Sequence, residues 1–247
     1  MANVISYYLD LKGPSYTVDT ACSLYAMALG YHCIMSGKCE DAIIGAGNLC
    51  VLSPEGYCRP FDSNGNGYSH SETVAIVYLQ KAKNAKRIYA ICPHIKLNND
   101  GYKEVGITHP SLLMQSILLK ECYNECGILT SCLDYIETHG TGTKVGDLQE
   151  VTAICNSLCK NRETPLMIGS VKSNLGHGEP ASGFIQIAKV KVTAIFIYYY
   201  RICFYFTHIC AYRVFSTLTI IVIDVIIVIV TTHYVNGFNH VAVRTFP

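Results

Sequence analysis

The chain has 247 residues, enough for one good-sized hydrophobic core with an appendage. Nineteen Lys and Arg against eighteen Asp and Glu leave a net charge of +1, so no basic excess points to nucleic acid and no acidic tail is present. Thirteen cysteines are scattered and odd in number. No charged n-region and long apolar stretch follow Met1, so reduced cytoplasmic thiols rather than disulfides are expected.

In chain order, Leu24 to Met35 reads as a helix stopped by Ser36–Gly37. Asp41 to Gly47 reads as a buried strand, and Phe61 to Gly67 (FDSNGNG) as a loop. Val74 to Leu79 and Arg87 to Cys92 look like strands, and Ser111 to Cys126 like an amphipathic helix. Leu133 to Glu137 is a short strand that runs into the glycine-rich loop His139 to Gly146. A helix is predicted from near Asp147, with its carboxylate as a cap. Leu166 to Gly169 is a strand, Lys172 to Gly178 a loop and Ala181 to Val190 a helix. Strands and helices in alternation give an α/β class.

Beyond Val192 the composition shifts to Ile, Val, Tyr and Phe. Phe215 to Thr232 approaches the length of a membrane-spanning helix, but Asp224 interrupts it and its Ile, Val and Thr favour strand as much as helix. Three readings stand: a membrane span, a strand-forming segment, or sequence that is not native coding. Two cysteine pairs at helical i,i+4 spacing, Cys122/Cys126 and Cys155/Cys159, lack the double CxxC of a zinc knuckle, so no metal is expected. Asp62, Asn64 and Asn66 resemble the start of a calcium loop, but position twelve is Thr73, so calcium is rejected.

Three segments carry chemistry. In Val18–Asp19–Thr20–Ala21–Cys22–Ser23 a cysteine stands just before a helix, where the helix dipole favours thiolate; the alternative is a thiol that merely fills a core. In Glu137–Thr138–His139–Gly140–Thr141–Gly142–Thr143 a histidine ends a strand on a loop of small residues, and two hydroxyls are spaced by one residue. A polar turn or phosphate loop is the rival, although no Gly-Lys-Ser/Thr follows. Gly169 to His177 (GSVKSNLGH) adds Lys172 and a second histidine, again after a strand.

Taken together, these segments closely resemble the ketosynthase (β-ketoacyl synthase) domain of animal type I fatty acid synthases. The matching runs are DTACS at Asp19 to Ser23, LSPEG at Leu52 to Gly56 and FDSNGNGY at Phe61 to Tyr68. NDGYKEVGIT at Asn99 to Thr108, HGTGTKVGD at His139 to Asp147 and GSVKSNLGH at Gly169 to His177 follow in the family's order. The resemblance covers most of Ala2 to Val190 and implies a thiolase-like layered α/β/α/β/α fold. It leaves residues 191–247 as an unmatched apolar tail. By resemblance Cys22 is the nucleophile, His139 and His177 promote malonyl decarboxylation, Lys172 supports them by its charge, and Thr141 and Thr143 bind the pantetheine arm. The reaction implied is a decarboxylative Claisen condensation of an acyl-Cys thioester with malonyl-acyl carrier protein. No cofactor is bound directly; the phosphopantetheine arm arrives on acyl carrier protein. The partners implied are that carrier, acyl and malonyl thioesters and, for the complete domain, a second copy in a homodimer. Neither nucleic acid nor membrane association is expected.

Four departures from the family pattern predict an incomplete copy with doubtful activity. Met1 enters mid-domain; two residues after Cys22–Ser23 are absent; Asn48–Leu49–Cys50 joins Val51 without the family's longer segment; and Asn236 to His240 only faintly echoes its GFGG turn. Catalytic inactivity, with at most binding of carrier protein or a synthase subunit, is the rival reading, and a polyketide synthase origin is a second.

Overall fold

The computed structural model describes residues 2–20, 22–48, 56, 58–106 and 108–191, and the backbone of 217–223, 226–232 and 241–245. Six helices are described: α1 (Ala2–Tyr8), α2 (Leu24–Met35), α3 (Leu112–Cys126), α4 (Lys144–Leu158), α5 (Lys172–Leu175) and α6 (182–191). Nine strands are described: β1 (Asp41–Asn48), β2 (Thr73–Lys81), β3 (Ala90–Cys92), β4 (Ile95–Lys96), β5 (Leu133–Glu137), β6 (Met167–Gly169), β7 (Thr217–Ile223), β8 (Ile226–Thr232) and β9 (Val241–Thr245). They form one mixed sheet in the order β1-β2-β9-β3-β7-β8-β5-β6, with β4 beside β7.

Two cores flank this sheet. Leu24, Met27, Ala28, Tyr31 and Ile34 recur along one side of α2 and pack with Phe184, Ile187 and Val190 of α6 over Ile44, Val77, Leu79, Cys92 and Tyr135. On the other side Leu118, Leu119 and Cys122 of α3 and Ala153, Ile154 and Leu158 of α4 enclose Leu133 and Ile136. Strict alternation along β5 would put Leu133 on the face of Tyr135. A register shift between those two residues moves it to the face of Ile136.

Local chemistry sets the ends of α3: the Ser111 hydroxyl accepts from the Met114 N–H, and Gly127 stops the helix in the left-handed region at φ 67°. Several sequence expectations shift. The strand predicted from Arg87 shortens to β3, and Lys172 to Leu175 is a turn of helix rather than loop. The helix expected near Asp147 begins at Lys144 after Thr143. Asp147 does not cap it, because its carboxylate is taken by the N–H groups of Gly142 and Phe61.

The described part of Phe215 to Thr232 is not helical. It forms β7 and β8, paired antiparallel, in keeping with its β-branched composition. Among the described residues no helix is long and apolar enough to cross a membrane. The LSPEG run apart from Gly56, the Cys50–Val51 junction and Asn236 to His240 lie outside the described residues.

Candidate active site

Strands β5 and β6 run parallel and end side by side, with Glu137 opposite Gly169. The Thr138 N–H donates to the Gly169 carbonyl at 2.8 Å, so the chain leaves both strands at the same level. From those ends come the His139 loop and the Lys172 turn, which makes the carboxyl edge of this parallel pair the place where the chemistry collects.

Each element of the His139 loop is tied down. Glu150 of α4 accepts the N–H of His139 at 2.6 Å and that of Gly140 at 2.9 Å. The Lys172 ammonium, with 1% of the residue exposed, donates to the His139 carbonyl at 2.7 Å. Gly142 sits at φ 85° against the Arg59 backbone, where a Cβ would approach within 2.9–3.0 Å. The FDSNGNGY segment thus does more than turn. The Phe61 N–H binds Asp147 and the Gly67 N–H binds the Gly142 carbonyl. The backbone at Ser69 and Ser71 pairs on both sides of His177.

The two imidazoles meet edge to face, with centroids 5.2 Å apart and planes at 85°. The His177 Nδ1 accepts the Glu179 N–H at 3.0 Å, so a neutral His177 ring carries its proton on Nε2. Burial, then the Lys172 charge and His70, pushes the His177 pKa down to about 3. Burial, Lys172 and His177 hold His139 well below the usual histidine range. Both rings are therefore neutral N–H donors at ordinary pH. The Lys172 pKa is lowered by burial, against the opposing pull of Glu150, Cys22, Glu137 and Cys58. Burial raises Glu150 to about 7, opposed by its two backbone hydrogen bonds.

Cys22 is half-buried one residue before Ser23, the residue that precedes α2. The start of α6 holds it in place: the Ser23 hydroxyl accepts the Phe184 N–H at 3.2 Å. Gly183 lies so close to Leu24 that a Cβ would come within 2.5 Å of its side chain. The thiol is near enough to Lys172 to act on its charge. The Thr141 and Thr143 hydroxyls lie 3.4 Å apart, Thr141 buried and Thr143 half-buried. The structure thus gathers His139, His177 and Lys172, brings Cys22 within electrostatic reach of Lys172, and pairs the two threonines on the same loop.

Sequence reading missed Glu137, Glu150 and Lys189, and gave Asp147 the role of a helix cap rather than a tie to Gly142 and Phe61. Part of the signal was present: Asp147 and Glu150 stand three apart on one helix face, and Glu137 shares the alternation phase of Tyr135 in the strand LDYIE. Among the described residues no group of three His, Cys, Asp or Glu is arranged to hold a metal ion.

Comparison with known proteins gives the family. The β-ketoacyl synthase N-terminal domain model matches residues 1–85 and the β-ketoacyl synthase C-terminal domain model matches residues 89–195. A fatty acid synthase of Anser anser anser is 48% identical over 207 residues, covering 78% of this chain and 59% of its own length. A highly reducing polyketide synthase of Hypocrea virens is 37% identical over 211 residues, covering 78% of this chain and 9% of its own. Ketosynthase twelve of the bacillaene polyketide synthase of Bacillus amyloliquefaciens superposes with a TM-score of 0.70 at 31% identity, over 77% of this chain and 38% of that one. An oxazolomycin ketosynthase domain of Streptomyces albus gives 0.76 at 26% identity, over 96% of this chain and 50% of that one. The chain therefore spans less than two thirds of each of these relatives, and its α/β architecture is part of the thiolase-like ketosynthase fold. By two adjoining family matches, 48% identity to a fatty acid synthase over 207 residues, and a fold common to ketosynthase domains, the chain belongs to the β-ketoacyl synthase family.

Proposed function

We propose that the chain is a ketosynthase portion of a fatty acid synthase and that residues 1–190 carry the reacting groups. The paired neutral imidazoles, 5.2 Å apart beside a buried ammonium, support this reading most directly. In the proposed reaction the Cys22 thiolate attacks the carbonyl of an acyl thioester, and the carrier's pantetheine thiolate leaves. A malonyl thioester then loses CO2. The electron pair of the broken C–C bond moves onto the thioester oxygen, and imidazole N–H groups of His139 and His177 stabilise that enolate. The enolate carbon attacks the acyl-Cys22 carbonyl, the C–S bond breaks, and the β-ketoacyl product departs with Cys22 again a thiolate.

Neutral rings suit that task, because a fixed N–H donor steadies a developing oxyanion without giving up its proton. Lys172 fixes the His139 carbonyl, and its charge adds to the burial that keeps both rings unprotonated. Thr141 and Thr143 are assigned to the amide-rich pantetheine arm that acyl carrier protein presents. A homodimer of the complete domain and a cytoplasmic setting complete the proposal. The fatty acid reading is preferred to a polyketide one because identity is 48% to the former relative and 37% to the latter.

The test is malonyl-acyl carrier protein decarboxylation by the 247-residue chain, followed by mass spectrometry of the carrier. His177→Ala is expected to slow it about 10²–10³-fold, the usual loss for an oxyanion donor. Cys22→Ala is expected to abolish the acyl-enzyme adduct yet leave decarboxylation running. Equal rates in wild type, His139→Ala and His177→Ala would sink the proposal.

A further inference from the structure

We propose that Glu137, at the end of β5, is a positioning residue that holds the His139 loop and the Lys172 turn in one register, with Lys189 of α6 as its counter-ion. The inference rests on the ketosynthase reading of the site.

Glu137 is wholly buried and lies two residues before His139. One carboxylate oxygen accepts the N–H of Val171, the residue immediately before Lys172. The other accepts the Tyr135 hydroxyl and pairs with the Lys189 ammonium at 2.9 Å. Lys172 in turn donates to the His139 carbonyl. The chain from Glu137 to His139, the bond to Lys172, the step back to Val171 and the bond to Glu137 therefore close a small ring. A ring closed by two hydrogen bonds has few ways to deform, so the place of the carboxylate fixes where the ammonium and the histidine carbonyl meet.

The charge of Glu137 acts on Lys172 as well. Glu150, Cys22, Glu137 and Cys58 stabilise the ammonium, while burial opposes it and His139 and His177 feel its field. Removing the Glu137 charge lowers the Lys172 pKa further. Lys189 is the accessible member of the pair, its side chain 24% exposed, so substitutions there disturb packing less.

Glu137→Gln, Lys189→Met and Lys189→Arg in the 247-residue chain test this. Glu137→Gln is expected to cut kcat for malonyl decarboxylation about tenfold or more, with KM for malonyl-acyl carrier protein little changed. The alkaline limb of its pH profile should move to lower pH. Lys189→Arg should keep most of kcat, and Lys189→Met should not. Independently of turnover, the Lys172 ε-carbon resonance in lysine-labelled chain, assigned through Lys172→Arg, should titrate at lower pH in Glu137→Gln and at a changed pH in Lys189→Met. A Lys172 midpoint unmoved in the variants that fold overturns the positioning role. Absence of decarboxylation in wild type instead overturns the condensation reading and leaves the Lys172 titration to decide the role of Glu137.

Discussion

Residues 137–150 and 170–179 meet through Glu137, which accepts the Val171 N–H, and Lys172, which donates to the His139 carbonyl, while Glu150 and Asp147 bind backbone of the His139 loop itself; all four are buried. Residues 7–19, which lead to Cys22, are exposed without interruption, and α1 before them buries nothing. Cys22 is held from its other side, by α2 seated against the start of α6. The contrast teaches that the decarboxylating half of the site is built by its own loops. The nucleophile depends on the helix that follows it and gets little from the segment that precedes it.

The largest expected effect tests how deeply the histidine half is buried. His177 must be neutral when folded and has its pKa pushed to about 3, below the ordinary value of 6.5. Its contribution to stability is therefore full above about pH 6.5 and lost as pH falls towards 3, on the order of 4 kcal/mol. Urea unfolding across that range should show wild type losing more stability than His177→Gln. Parallel curves would mean that the ring is already solvated.

Gly142→Ala should come next. The new Cβ meets the Arg59 backbone in a left-handed conformation at φ 85°, and roughly 2–4 kcal/mol of stability should go. Thermal unfolding and decarboxylation should fall together, since the same glycine joins the FDSNGNGY segment to the His139 loop. The smallest effect belongs to the cysteine half. Ser23→Ala leaves the buried Phe184 N–H without its hydroxyl acceptor, for about 1–2 kcal/mol. A loss at Ser23 as large as that at Gly142 would erase the contrast between the two halves.

Much of this was legible in the residues themselves. The apolar spacing from Leu24 to Met35 marks α2 end to end, and the LDYIE run marks β5. His139, His177 and Lys172 could be chosen because the segments that hold them follow strands and together resemble the ketosynthase motifs. The partners of the carboxylates that hold those loops could not. Glu137 finds Val171 only because β5 pairs with β6 across some thirty residues of chain, and Lys189 reaches it from α6. Such partners are set by tertiary register, which no local pattern states. The Ile- and Val-rich run after Phe215 was ambiguous for a different reason: β-branched apolar sequence suits a bilayer and a sheet interior alike, and only its pairing with β3, β4 and β5 separates them.

The sheet order has a kinetic consequence. β9 lies between β2 and β3, so Lys81 pairs with Val241, about 160 residues further along. β7 and β8 likewise separate β3 from β5. On a ribosome, β2 leaves the exit tunnel with one edge paired to β1 and the other unpaired until β9 follows. Contacts this distant in sequence close late and slowly, because loop entropy is lost before the contacts form. Through that interval the open edge of β2 is a template for any other extended strand, an aggregation hazard that ends when β9 pairs with it.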